Sequence, residues 1–323
     1  MDISSPENHA LLLKVPPSKS PTPLVLKASP IPIKGFLMFS SLPRRPQPKP
    51  KVRSTFLIFF EAVKCSPANP PVPAKSFHPI AICGKYNGLH DAYKSILEAF
   101  IHSGVYNNTN VNVRWVDTEE LEINDNPNVV FRDIHGILIP GGFGDRGIEG
   151  KIMSSRYARE NNIPFFGICL GMQCAVIDYA RHECNMRAAN STEFNKRTKY
   201  PVIDLMRSQK NVKHKGASMR LGSYKCNIMS GTNASKAYKK KLVNERHRHR
   251  YEFNNKYKRQ MEKAGLKISG VNEKLKLVEM IEFPSHPWFV GVQFHPELKS
   301  TVVNTHPLFR DFIAASMKYR DQE

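Results

Sequence analysis

Long hydrophobic runs are missing: no stretch approaches the roughly 18 apolar residues of a membrane-crossing helix. The expectation is a soluble chain with no membrane partner. Cysteine is sparse, with six residues at positions 65, 83, 169, 174, 184 and 226. They form neither CxxC pairs nor the framework of a secreted protein, which fits reduced thiols and a cytoplasmic setting. No Gly-x-x-x-x-Gly-Lys-Ser/Thr occurs, so the chain has no phosphate-cradling P-loop. Acids are few, 28 Asp and Glu against 48 Lys and Arg, leaving a formal charge of +20. Such a surplus suits nucleic acid or an anionic substrate, but it is spread over the first segment and the stretches 207–215 and 236–250. Diffuse charge reads as solubility, and no nucleic-acid partner is expected.

What is present falls into two textures. Residues 1–77 are basic and proline-rich, as in Leu42-Pro-Arg-Arg-Pro-Gln-Pro-Lys-Pro50. Proline removes backbone donors and disfavours helix in the residue before it, so a disordered leader is expected there. Its composition is similar to that of an organelle transit peptide, although Arg is sparse and the start is not clearly amphipathic. From residue 78 to 320, strands and helices alternate. Strands are predicted at 79–84, 111–116, 135–140, 163–168, 219–226, 275–282 and 288–294. Helices are predicted at 91–103, with Asp91 near the cap, and at 149–161, 169–181 and 307–317. This order predicts an α/β fold: a doubly wound, mostly parallel sheet with flanking helices and an antiparallel extension.

The sharpest local signal is Gly167-Ile-Cys-Leu-Gly171, between an apolar strand and a helical pattern. Small residues two before and two after Cys169 permit a tight strand-to-helix turn, a nucleophile elbow. The helix amino end there favours a thiolate. An isolated Cys is more often a buried structural residue; the glycines and the strand-to-helix switch make Cys169 a nucleophile. A second turn, Pro140-Gly-Gly-Phe-Gly-Asp-Arg-Gly147, follows another strand and can present backbone N–H groups. With the Leu170 N–H it could form an oxyanion hole. His295-Pro-Glu297 ends a third strand and offers a carboxylate to orient an imidazole facing the thiol. The segment 243–254 is dense in His and Arg. It lacks carboxylates or Cys at ligand spacing, so no metal site is expected, and an Arg holding a substrate carboxylate is the better use.

These three motifs together resemble the class I, triad-type glutamine amidotransferases. Longer stretches resemble the glutaminase domain of the CTP synthase family over residues 79–318: the full 140–150 turn, Asn190-Ser-Thr-Glu-Phe194, Met219-Arg-Leu-Gly222 and Glu245-Arg-His-Arg-His-Arg-Tyr-Glu252. The resemblance implies Cys169 as nucleophile, His295 as base and Glu297 as its orienter. It implies L-glutamine held by Gly142, Leu170, Gly171, Met172, Gln173, Glu193 and Arg250, and GTP as an allosteric activator with Arg146 a candidate contact. Members of the family carry an amidoligase domain ahead of the glutaminase, and residues 1–77 are too short and proline-rich to be one. The expectation is therefore no cofactor in this chain, with ATP, Mg²⁺ and UTP bound by an amidoligase domain or by full-length subunits of a possible oligomer. The chain itself would perform only the glutaminase half-reaction. The competing expectation is a shortened chain acting as an interaction or regulatory module. Gly216-Ala-Ser-Met219 and Leu298 depart from the family pattern and affect local loop shape. A structure with Cys169 and His295 on opposite faces would defeat this fold expectation.

Overall fold

The computed structural model describes residues 75–76, 79–85, 90–123, 126–205 and 219–322. The expectations for residues 1–74 and for the Lys-rich stretch 207–215 lie outside the described residues. Lys75–Ser76, placed in the leader from sequence, pairs in parallel with Thr109–Asn110.

A nine-stranded sheet organises the rest. Its strands in chain order are β1 (Ile80–Gly84), β2 (Val113–Asp117), β3 (Gly136–Ile139), β4 (Phe165–Ile168), β7 (Arg220–Ile228), β8 (Leu242–His249), β10 (Lys267–Asn272), β11 (Leu277–Glu282) and β12 (Phe289–Val292). The intervening β5 (Ala189–Ser191), β6 (Tyr200–Leu205) and β9 (Tyr251–Phe253) form a separate small sheet, which the sequence did not announce. Across the large sheet the order is β8-β7-β10-β11-β12-β4-β3-β1-β2. From β12 to β2 neighbours are parallel, and from β8 to β12 they are antiparallel. The predicted parallel sheet with an antiparallel extension is what forms.

Short, fully buried strands such as Gly-Ile-Leu-Ile and Phe-Phe-Gly-Ile need cover on both faces, and alternate residues supply two cores. On one face, Ile80, Ile82, Leu138, Phe166 and Ile168 pack under α1 (Lys94–Asn107) and α4 (Pro307–Arg320). There Phe166 lies edge-on to Phe309 at 5.2 Å, and Phe100 is 5.7 Å from the same ring. On the other, Ala81, Ile137, Ile139 and Phe165 face α2 (Ile148–Glu160) and α3 (Leu170–His182). Phe165, Phe289 and Phe283 stack there at 4.1 Å spacings.

The expected start and end of the first helix need correction. Asp91 does not cap α1; it sits inside a 3₁₀ turn, His90–Tyr93, and the helix begins at Lys94 without a side-chain cap. That helix also runs on to Asn107 and stops at Asn108, whose φ of 52° ends it in the left-handed region. The 243–254 segment is mainly strand β8. Val243, Glu245, His247 and His249 point inward while the residues between them, including Arg246 and Arg248, are exposed.

Candidate active site

β4 ends at Ile168, and the chain reverses into α3 at Cys169, which holds φ 52° and ψ −99°. A non-glycine residue there is strained, and two glycines make the turn possible. A Cβ on Gly171 would lie 2.2 Å from the Ile139 carbonyl oxygen, and one on Gly167 would meet the Gly171 backbone at 2.8 Å. The elbow is pinned to β12 as well, since the Cys169 N–H donates to the Val292 carbonyl at 2.6 Å.

β12 supplies the second component. Beyond Val292 the chain runs through Gln293 and Phe294 to His295, whose N–H donates to the Arg246 carbonyl of β8 at 2.8 Å. A 3₁₀ turn, Pro296–Lys299, then folds Glu297 back so that its Oε1 lies 2.6 Å from His295 Nδ1. Burial opposes charge on this imidazole. The neighbouring Cys169 and Glu297 together overcome burial and drive it up to about 10. At neutral pH His295 is an imidazolium between a sulfur and a carboxylate. Cys169 and His295 are thus on the same side of the sheet. Gly141 seals that arrangement, because a Cβ there would lie 2.6 Å from His295 Cε1.

The Gly-rich turn after β3 forms the opposite wall. The Lys85 ammonium donates to the Phe143 carbonyl at 2.6 Å, and the Gly144 N–H donates to Glu193 Oε1 at 3.2 Å. Between the walls lies a pocket lined by Gly142, Phe143, Cys169, Gln173, Glu193, His249, Arg250 and Tyr251. Burial raises the Glu193 carboxyl, opposed by the Gly144 N–H and by Arg250. The pocket therefore has both an acidic and a basic side chain beside the thiol.

Of the residues expected from sequence, Gly142, Cys169, Gln173, Glu193 and Arg250 line this pocket, with His295 and Glu297 behind the sulfur. Leu170, Gly171 and Met172 do not line it. Leu170 packs below Gly142, Gly171 abuts Ile139, and Met172 is fully buried near Gly291, so only their backbone is placed to serve a ligand. Arg146 also lies outside the pocket, paired with Glu119 at 2.7 Å. Sequence reasoning missed Phe143, His249, Tyr251 and Gln293. The signal for His249 was the period-two inward face of β8; for Gln293 it was an amide in an otherwise apolar run.

Below the pocket lies a buried polar cluster. Arg220 of β7 bonds Glu279 of β11 at 2.6 Å and Glu252 of β9 at 3.3 Å. Burial pushes the Glu252 carboxyl up to about 8 despite Arg220. His247 Nδ1 is 2.9 Å from His249 Nε2, and His249 Nδ1 is 3.2 Å from the Tyr251 carbonyl. That carbonyl can only accept, so His249 carries its proton on Nδ1 and accepts from His247. Burial, with Arg220 nearby, pushes His249 down to about 3, and His247 is depressed too. Both stay neutral.

A thiol at an elbow, an imidazolium held by a carboxylate and adjacent backbone donors form the constellation of nucleophilic acyl transfer. Residues 89–315 match the family described as glutamine amidotransferase class-I. The CTP synthase of Chloroherpeton thalassium is 59% identical over 244 residues, covering 75% of this chain and 44% of that protein. The CTP synthase of Clostridium kluyveri is 56% identical over 238 residues, covering 74% and 44% respectively. The chain thus spans less than half the length of these curated relatives. The solved glutaminase domain of Trypanosoma brucei CTPS, with bound acivicin, superposes with a TM-score of 0.70 at 40% identity. That match covers 74% of this chain and 94% of the solved one. The chain belongs to the class-I glutamine amidotransferase family and, within it, is homologous to the glutaminase domains of CTP synthases.

Proposed function

We propose that the chain hydrolyses L-glutamine to glutamate and ammonia, and that in the assembled enzyme the ammonia aminates UTP to CTP. The observation that carries this is the juxtaposition of Cys169, the His295–Glu297 pair at 2.6 Å, and a pocket holding both Glu193 and Arg250. Glu193 and Arg250 suit the α-ammonium and α-carboxylate of an amino acid, leaving its side-chain amide toward the sulfur. With His295 already protonated, the Cys169 thiolate attacks the amide carbon. The oxyanion is met by backbone N–H groups near Gly142 and at Leu170, the first residue of α3. His295 gives its proton to the departing ammonia, leaving a γ-glutamyl thioester and a neutral imidazole. That imidazole takes a proton from water, which attacks the thioester; glutamate leaves and the ion pair is restored.

ATP, Mg²⁺ and UTP belong, in this reading, to an amidoligase domain or to full-length subunits. GTP would act at this chain as an activator, and Arg146 fits a phosphate only by exchanging its Glu119 partner. A cytoplasmic setting suits Cys83, Cys169, Cys174, Cys184 and Cys226, all buried and none in a disulfide. The test is ammonia release from glutamine by the purified chain, with and without GTP, beside Cys169→Ala. Release is expected from the parent and at least about a thousandfold less from the variant. Addition of ATP, UTP and Mg²⁺ should yield no CTP. Equal release by parent and variant would defeat the assignment of Cys169.

A further inference from the structure

We propose that Gln293 is a catalytic residue of this site: its side-chain amide donates a hydrogen bond to the Cys169 sulfur and stabilises the thiolate. The inference rests on the glutaminase reading but concerns a residue that reading does not use. Gln293 is completely buried just beyond β12, and its Nε2 lies 3.7 Å from Cys169 Sγ. Its backbone is fixed, since the Gln293 N–H donates to the Glu279 carbonyl at 2.9 Å.

The direction of that hydrogen bond is set by a chain of amides. The Tyr251 carbonyl can only accept, and Gln173 Nε2 lies 3.0 Å from it. This fixes which end of the Gln173 amide is nitrogen. The same nitrogen lies 3.3 Å from Gln293 Oε1, so Gln293 must present its oxygen to Gln173 and its NH₂ to the sulfur. An amide N–H facing a sulfur is indifferent to a thiol but favours a thiolate, because bonds to charged acceptors are the stronger kind. Both hydrogens of the Gln173 amide are occupied, so toward a ligand it offers only its carbonyl oxygen. A fully buried amide in an apolar strand would otherwise be costly, and the sulfur is what its donor serves.

The other titratable and charged groups around the sulfur are His295 with Glu297, Glu193, His249, Arg250 and Tyr251. They are unchanged in Gln293→Met, so a difference between that variant and the parent isolates the amide, while Gln293→Glu adds a carboxyl in its place. The experiment is the pH profile of Cys169 alkylation by iodoacetamide, which reads the thiolate without needing glutamine. A chain that fails to hydrolyse glutamine still reports on Gln293. Gln293→Met and Gln293→Glu keep the volume and remove the donor, and thermal melts establish that each is folded. The expected result is a profile moved alkaline by about one pH unit in Gln293→Met, a tenfold loss of thiolate on the lower limb, and by more in Gln293→Glu. Profiles superimposed on the parent would overturn the proposal. If neither variant folds, the unaltered chain labelled at glutamine side-chain nitrogen decides. One amide resonance should follow the Cys169 titration and stop doing so after alkylation. A chain with no such resonance refutes the proposal.

Discussion

Glu297 has one oxygen on His295 Nδ1 and helps hold that imidazole protonated, so its removal has a defined sign. In Glu297→Gln the imidazolium loses a charged partner and its proton leaves at lower pH. The pH–rate profile of glutamine hydrolysis should lose its alkaline limb at lower pH than that of the parent. Turnover at neutral pH should fall about ten- to a hundredfold. An unchanged alkaline limb would show that Glu297 does not govern the His295 proton. At this scale Cys169, His295 and Glu297 were legible because each rests on a short local pattern: glycines two residues to either side of the thiol, and a carboxylate just past a proline. Leu170 and Met172, implied with Gly171 as glutamine contacts by the resemblance, turn their side chains away from the pocket and leave the first turn of α3 to act through its backbone. Gln293 stayed hidden because its partners come from α3 and from the carbonyl of Tyr251, which no local spacing encodes.

Among the elements, the joint between α2 and β12 has its own acid sensitivity. His286 Nε2 is 3.1 Å from the Ala158 carbonyl, and its Nδ1 accepts the Trp288 N–H at 3.1 Å just before β12 begins. Both nitrogens are committed with one proton between them, and burial pushes the imidazole down to about 4. The unfolded chain takes up that proton near 6.5, so the folded state loses stability as pH falls from 6.5 toward 4. Through this side chain the loss is about 3 kcal/mol at the acid end. Urea unfolding of the parent and His286→Gln, at pH 7 and pH 4.5, should show the variant weaker at pH 7 but losing less on acidification. Parallel losses would remove His286 as the cause. The strands and helices of the parallel half were readable because they are uniformly apolar or periodic. β8 was not, since after Val243 its inward face is Glu, His and His, polar residues that are core because Arg220, Glu279 and Tyr238 meet them.

In the whole molecule, Arg220 joins both sheets beneath the pocket: it stands on β7, holds Glu279 of β11 in the large sheet and reaches Glu252 of β9 in the small one. It also lies over the Tyr224 ring at 4.4 Å. Arg220→Met leaves two buried carboxyls without their cation and should cost about 3–5 kcal/mol in urea unfolding at neutral pH. Adding Glu279→Leu to that variant should recover part of the loss, and a double variant no more stable than the single one would locate the cost elsewhere. The overall architecture followed from strand and helix order alone. The small sheet did not, because its strands are short and drawn from three separate parts of the chain.

The register of β4 against β12 has a consequence for how such chains can change length. Cys169 and His295 lie far apart in sequence, yet Ile168 pairs with Val292 and the elbow N–H is tied to that same residue. Nucleophile and base are therefore indexed from one rung of the ladder. Residues can be added to the exposed connections between strands while that rung is kept. A single insertion between Val292 and His295 would turn the imidazole to the other face of the sheet and separate it from the thiol.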